Sequence, residues 1–448
     1  MLKLCSWLFW VSYVVAFSDT DRDHHQYLRS KTEDSNAFQT AHSHIFRESI
    51  PELANRVDLV RLNSVQHDLL HEVVFVITQK NIDELTRILH DVSAPQSPNY
   101  GHRMTKGEIA ILTSNPESRD TVLAYLKSNG AFVTSETIFG EYISAKAPIS
   151  IWEKVFNTKF FKFHQIHENQ WVGEVIRAEK YWMPRELDLH VDSVFNIIEI
   201  PLTRYGISPA HKFVPKPPKK SKWSPEIISI PMLTPPKLKA YYNVSNAKGS
   251  EASTQAIYAS LNQFFSPTDI KNFQSAFAPP ARDVIVYRDD SSDAKCILDA
   301  SSCAESNLDL EYMMTMSQKS PTTSWYSDAP FHVWLMEVAN TTSPPLIFSI
   351  SYGSEEKYIT SSVHKAFTIE AIKLGIMGVT IFAASGDDGA NSRTVKTNGI
   401  IDCGYTSIFP ATNPYVTAVG ATAVRLLCFS DSSLAYKIVS KTINADYF

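Results

Sequence analysis

The stretch PLIFSISYG, Pro345 to Gly353, and the later stretch GVTIFAAS, Gly378 to Ser385, decide the fold between them. Each is a short apolar run rich in β-branched and aromatic residues, with glycine or a small polar residue at its end, the pattern of a buried strand. Between them, residues 361 to 375 put Val363, Phe367, Ala371 and Leu374 on one helical face. Strand, helix, strand at this spacing is a βαβ unit, whose crossover is right-handed and whose strands are parallel. The later part of the chain is therefore expected to be α/β. Such sheets hold ligands outside the carboxyl ends of their strands. Here the second strand runs straight into SGDDGA, Ser385 to Ala390. Glycine at 386 allows positive φ and would present Asp387 at the upper edge of the sheet, although a polar turn with two aspartates fits the same residues.

Upstream, AESNLDLEYM, Ala304 to Met313, spaces Glu305 and Asp309 four residues apart. On a helix that step returns to nearly the same face, so two like charges become neighbours at some cost in stability. The pair is either a solvated helix face or a site holding two carboxyls together for proton chemistry. Ahead of it QAIYASLNQFF reads as a buried strand, and TPPKLKAYYNV opens this second domain.

The earlier part of the chain has a different organisation. A polar lead to about residue 65 precedes HEVVFVITQ, a strand from His71 to Gln79, and NIDELTRILHDV, a helix in which Asn81 can cap with Glu84 three residues on. Thr105 with Glu108 opens a second helix in the same way, and a third starts at Asn115–Pro116 and stops at Gly130. Alternating segments such as TIFGEYISA and KFFKFHQI follow, so residues 65–203 read as a compact α+β domain. Residues 204–226 form a linker. Within it HKFVPKPPKKSKW, His211 to Trp223, concentrates Pro and Lys and should be extended and open to proteases, or else a plain spacer.

At 448 residues and 44% hydrophobic, the chain is long enough for two or three well-buried cores. Its first residues combine Lys3, an apolar run from Leu4 to Phe17 and the small pair Ala16 and Ser18, which reads as a cleaved signal peptide over residues 1–18. No nucleic-acid footprint appears in a scattered net charge of −5, and no membrane association is expected once the signal is removed. Protonating all 14 histidines would change −5 to −5 + 14 = +9, so compartment pH matters to this chain. Cys5 leaves with the signal; Cys296 and Cys303 could close a short loop before Glu305, but with Cys403 and Cys428 present three pairings are open. Asn243 and Asn340 stand in glycosylation triplets. No G-x-S-x-G elbow, H-E-x-x-H helix, Walker loop or C-x-x-C pair occurs, and His164 with His167 lacks a third ligand, so no metal site is expected.

Taken together, the acid pair, the Asp in a glycine turn and a separate N-terminal domain resemble the sedolisins, the serine-carboxyl peptidases. The family pattern E-x-x-x-D is met by Glu305 and Asp309, and its S-G-D-S-G-A turn by Ser385 to Ala390, with Asp388 in place of the usual Ser. PFHVWLMEVAN, SISYGSEE and FPATNPYVTAVGAT follow in the family's order, and SPNYGHRMTKGEI is similar to its activation propeptide. The resemblance covers about 65 to 425. It implies a subtilisin-like parallel sheet flanked by helices over 227–448, preceded by a ferredoxin-like activation domain that covers the cleft until acid triggers its removal. It further implies that Glu305 is a general base, that Asp309 shares its proton, and that Asp387 donates to an oxyanion. Ser351, Gly353, Ser385 and Gly386 would line the substrate cleft. The implied substrates are unfolded peptides with a free amino end, cut after three residues in a lysosomal or secreted setting, and the implied partner is the chain's own propeptide.

The chain departs from the family in one respect. The family's serine lies in G-T-S-x-x-x-P, followed by a Gly-rich calcium loop, whereas Gly420 is the last glycine here and RLLCFSDSSLAYKIVSKTINADYF matches neither feature. Ser430, Ser432 and Ser433 therefore receive no role, no calcium is expected in this chain, and its sheet is expected to lack the last strands. The expectation is therefore a truncated or incomplete form of an active peptidase, itself inactive because the serine is missing; the alternative is a secreted, non-catalytic protein that binds peptides or regulates a peptidase.

Overall fold

A computed structural model describes residues 43–56, 58–167, 170–201, 233–288, 290–387, 406–420, 423–427 and 435–439. The expected signal peptide, the whole of the linker, Cys403, Cys428 and Asp388 lie outside them.

The first part of the chain contains strands β1 (His44–Ser49), β2 (Leu59–Ser64) and β3 (Leu70–Ile77), then helices α1 (Ile82–Ser93), α2 (Lys106–Thr113) and α3 (Pro116–Ser128). Strands β4 (Phe132–Glu136) and β5 (Tyr142–Pro148), helix α4 (Ile149–Val155) and strands β6 (Phe160–His167), β7 (Gln170–Ala178), β8 (Lys180–Pro184) and β9 (Val191–Phe195) follow. An antiparallel sheet runs β4-β5-β3-β9. Residues up to 65 form more than a polar lead: β1 pairs with β8, β2 pairs with β6, and Ile50, Leu59 and Val65 join the core. Among the described residues from 43 to 65 only Ile50, Leu59 and Val65 are buried, which is too sparse a pattern to read as strands in a polar sequence.

Local signals at the helix starts were mostly legible. Thr105 and Glu108 form the full reciprocal capping box, and the Asn115 side chain accepts from the Ser118 amide, with Pro116 opening the helix. Asn81 does not cap. It sits at φ 55 and turns its side-chain amide to the Leu112 carbonyl, because tertiary contact with α2 offers that donor an acceptor.

The second part begins with α5 (Pro235–Tyr241) and β10 (Gln255–Ala259), followed by α6 (Pro267–Phe277), β11 (Ile285–Tyr287), α7 (Asp293–Leu298) and α8 (Ala304–Met316). Then come β12 (Thr322–Tyr326), α9 (Phe331–Asn340), β13 (Ile347–Ile350), β14 (Ser354–Glu355), α10 (Ser361–Ile376) and β15 (Thr380–Ala384). Strands β16 (Ile408–Phe409), β17 (Thr417–Val419) and the antiparallel pair β18 (Ala423–Leu427) and β19 (Ala435–Val439) complete the described chain. A six-stranded sheet, β11-β12-β10-β13-β15-β17, is parallel at every pairing. The βαβ unit is as expected: β13 and β15 pair with Ile347 opposite Thr380 and Ile350 opposite Ala383.

Strand alternation shows how the layers stack. In β10, Ile257 and Ala259 pack with Phe265, Leu310 and Met314 of the α6–α8 side, while Ala256 and Tyr258 pack with Trp334 and Phe367 of α9 and α10. The antiparallel sheet of the first part repeats the device in β3. Val73, Phe75 and Ile77 face its own core, whereas Val76, with Tyr142 and Phe195, enters the α9–α10 cluster. The domain therefore docks on α9 and α10, on the opposite face of the sheet from α8.

Polar contacts complete the docking. Tyr142 donates to Glu370 at 2.6 Å, Lys373 pairs with Glu370 at 3.1 Å and reaches Glu141 at 3.7 Å, and Lys106 donates to Asn340 at 2.9 Å. Glu48 of β1 accepts from the Ser362 amide at 2.9 Å in the first turn of α10, where a helix N-terminus favours an anion.

His332 on α9 lies within this contact, 2% exposed, its ring 4.2 Å from that of Phe195, and neither ring nitrogen has a partner among the described residues. Burial, reinforced by the Arg177 charge, pushes its pKa down to about 3. An unfolded histidine titrates near 6.5, so the stabilisation from keeping His332 neutral is complete above ~6.5 and is lost as pH falls toward the folded value. Replacing His332→Phe should therefore flatten the loss of thermal stability between pH ~6.5 and ~4, by up to about 1.4 kcal/mol per pH unit, the slope of one proton. Melting temperatures at half-unit pH steps check this; an unchanged slope rules it out.

Candidate active site

Helix α8 places the acid pair. Its N-cap is Cys303, which is bonded to Cys296, so the disulfide ties the start of α8 to the preceding helix α7. Leu310 and Met314 anchor the helix to the sheet, which leaves Glu305 and Asp309 toward the carboxyl ends of the strands. The Glu305 amide donates to the Gln263 side-chain oxygen at 3.2 Å, joining the first turn of α8 to the loop after β10.

Asp309 is the deeper carboxyl. Ser351, one residue beyond β13, donates to Asp309 Oδ1 at 2.9 Å, while Asp309 Oδ2 is buried with no partner among the described residues. Burial pushes the Asp309 carboxyl up to about 8, with the Glu305 charge adding to the rise and the Ser351 hydrogen bond opposing it. Glu305 is raised too, first by burial and then by the Asp387 charge, with Ser351 again pulling it down. The two carboxyls titrate as one coupled pair.

Asp387 stands exposed after β15, beyond Gly386, whose φ of 95° is the left-handed geometry expected of that glycine. Ser385 and Gly386 are exposed alongside it, and the Ser385 amide is held by the Val419 carbonyl of β17 at 3.0 Å. Gly353 fills a different need: a Cβ there would collide with Ile408, so glycine permits the close approach of β14 to β16. The structure thus brings Glu305, Asp309, Ser351 and Asp387 together and leaves Gly353 as a packing position. Asn243 is exposed, but Asn340 is half-buried with its side-chain oxygen taken up by Lys106. Among the described residues no group of three or more His, Cys, Asp or Glu side chains is placed to hold a metal ion. None of the helices among them is long and apolar enough to cross a membrane.

Two contributors escaped the sequence reading. Gln263 could have been found as a polar residue just past a buried strand. Tyr352, whose buried phenol is pushed well up by desolvation and by the Asp309 and Glu305 charges, looked like framework.

The arrangement can hold a proton on Asp309 while Glu305 ionises at the rim, the division of labour of a carboxyl pair with separated pKa values. A carboxyl raised from its unfolded value of about 3.8 binds its proton more tightly when folded, so its stabilisation is full in acid and is lost as pH rises through about 8. Asp309→Asn, which mimics the protonated form, should raise the melting temperature near pH 7 by at least ~2 °C and leave it unchanged near pH 4. Equal effects at both pH values would show that Asp309 is not held protonated.

The Pro-kumamolisin activation domain profile matches residues 58–203. Tripeptidyl-peptidase 1 of Mus musculus is 26% identical over 383 residues, 82% of this chain and 64% of the relative; that of Homo sapiens is 26% identical over 367 residues, 78% and 61%. The chain thus spans a little under two thirds of the length of these relatives. A solved Pseudomonas sedolisin, a serine-carboxyl proteinase, is 16% identical over 44% of this chain and 55% of its own, at a TM-score of 0.33 that adds no weight. With an activation-domain match over residues 58–203, a parallel sheet and a helical acid pair, the chain is similar to the sedolisin family of serine-carboxyl peptidases.

Proposed function

We propose that the chain is built for acid peptidase chemistry of the serine-carboxyl type, acting on the free amino ends of unfolded peptides in an acidic compartment of the secretory route. The observation that carries this reading is the meeting of a buried helical acid pair with the charge of Asp387 at the carboxyl end of a parallel sheet. In this scheme Glu305 takes the proton of a serine hydroxyl as its oxygen attacks the peptide carbonyl. Asp309 keeps its own proton, which lets Glu305 work at a pH where histidine would be protonated. Asp387 is the group placed to meet the oxyanion.

The serine is not among the residues assigned a role, since no G-T-S-x-x-x-P stretch occurs in the 448 residues. A second reading is a non-catalytic peptide-binding or regulatory protein. Glu355 and Glu356, which could meet a substrate ammonium, instead pair with Lys357 at 2.9 Å and accept from Ser407 at 2.5 Å respectively.

A fluorogenic tripeptide amide and a fluorescent peptide with a free amino end, both at pH ~4, test the reading. The 448-residue chain should bind the labelled peptide without releasing the fluorophore from the amide, and Glu305→Gln should weaken that binding. Turnover that disappears in Glu305→Gln would place a working serine within these residues. Absence of any binding in acid would end the peptidase reading.

A further inference from the structure

We propose that Ser351 is a positioning residue of the acid pair rather than a substrate contact: its hydroxyl, fixed at the end of β13, donates to Asp309 Oδ1 and so determines which oxygen of the pair carries the proton. The inference rests on the peptidase reading for its catalytic meaning, but its geometry stands apart from that reading.

Ser351 and Asp309 are anchored in different layers. Asp309 rides on α8, whereas Ser351 follows β13, a strand held between β10 and β15. The 2.9 Å hydrogen bond therefore ties the helix to the sheet at the level of the site. A serine hydroxyl has one proton to give. It is given to Oδ1, and Oδ2 is left buried with no partner among the described residues. A bare anionic oxygen in that position is costly, while a proton on Oδ2 removes the charge. Ser351 thus selects the Asp309 oxygen that stays protonated, leaving Glu305, the less buried acid, as the group that ionises.

The hydroxyl's one hydrogen bond goes to Asp309, and its nearby dipole also favours the ionised form of Glu305, so losing it leaves Asp309 without its donor and both carboxyls less readily ionised. The other groups facing the pair are Asp387 after β15, an anion that pushes Glu305 up, and the Tyr352 phenol after β13, which stays neutral through the range in question. From the loop after β10 comes the uncharged Gln263. None of these replaces the lost donor.

The test is a carboxyl titration of the full 448-residue chain by carbon-13 NMR from pH ~3 to ~9, with Glu305→Gln and Asp309→Asn assigning the two signals. Ser351→Ala should raise the Asp309 midpoint by at least ~0.5 unit, about a threefold fall in its acid dissociation constant, and raise the Glu305 midpoint in the same direction. Ser351→Thr, which keeps the hydroxyl, should restore both. If Ser351→Ala does not fold, Ser351→Cys, a weaker donor, should give a smaller rise in the same direction. Midpoints unmoved in a folded Ser351→Ala or Ser351→Cys protein, or a threonine variant that behaves like alanine, would overturn the proposal. The titration needs no turnover: shifted midpoints with no peptide binding would sink the peptidase reading alone, and binding with unmoved midpoints would sink this inference alone.

Discussion

The parallel pairing of β13 with β15 is the constraint on which the rest of the candidate site depends. Because the two strands run the same way and in register, they end at one edge, delivering Ser351 from the first and Asp387 from the second. Neither residue has a fixed place without that sheet, since each lies just past a strand. The helix bearing Glu305 and Asp309 is then brought to the same edge by Leu310 and Met314, packed against Ile257 and Ala259 of β10. Burial at that edge makes the acid pair chemically unusual: a carboxyl pair on a solvated helix would only repel, whereas here desolvation is the largest influence on both groups.

The hydrophobic layers reach across from the first part of the chain into the sheet domain. Val76, Tyr142 and Phe195 of the former share a cluster with Trp334, Phe348 and Phe367 of the latter, and Leu85, Leu89 and Ile109 pack against Ile372 and Ile376. Helices α9 and α10 are consequently apolar toward both neighbours. Their few buried charges, Glu370 and Lys373, pair with each other and meet Tyr142 and Glu141 across the contact. Breaking such a contact would expose both apolar area and an internal ion pair.

The sequence made much of this legible, and for physical reasons. Period-two and period-3.6 patterns located β3, β10, β13, β15 and α10 because those elements are buried on defined faces, and the capping residues at Thr105 and Asn115 act within a few residues of themselves. Where tertiary contact outweighs local preference, the reading failed. Asn81 finds Leu112 rather than its own helix, and β1 and β2 owe their place to partners more than a hundred residues away. Spacing gave the acid pair, but no local signal could reveal that Ser351 turns inward to Asp309, since that bond joins residues 42 apart. Docking of the activation domain on the face away from α8 was likewise invisible, because it follows from which side of β3 is left apolar after its own core is filled.

Two buried titratable groups pull stability in opposite directions with pH, and they lie on opposite sides of the same sheet. Asp309, on the α8 side, is held protonated by burial, so acid favours the folded arrangement there. His332, on the α9 side, is held neutral by burial against Phe195 and the Arg177 charge, so acid works against the docked arrangement. The sign follows in each case from which form the low-dielectric surroundings exclude, the carboxylate for Asp309 and the imidazolium for His332. Falling pH therefore firms the acid pair while loosening the contact that holds the activation domain. One physical cause, desolvation, produces both responses, with opposite sign on the two faces of the sheet.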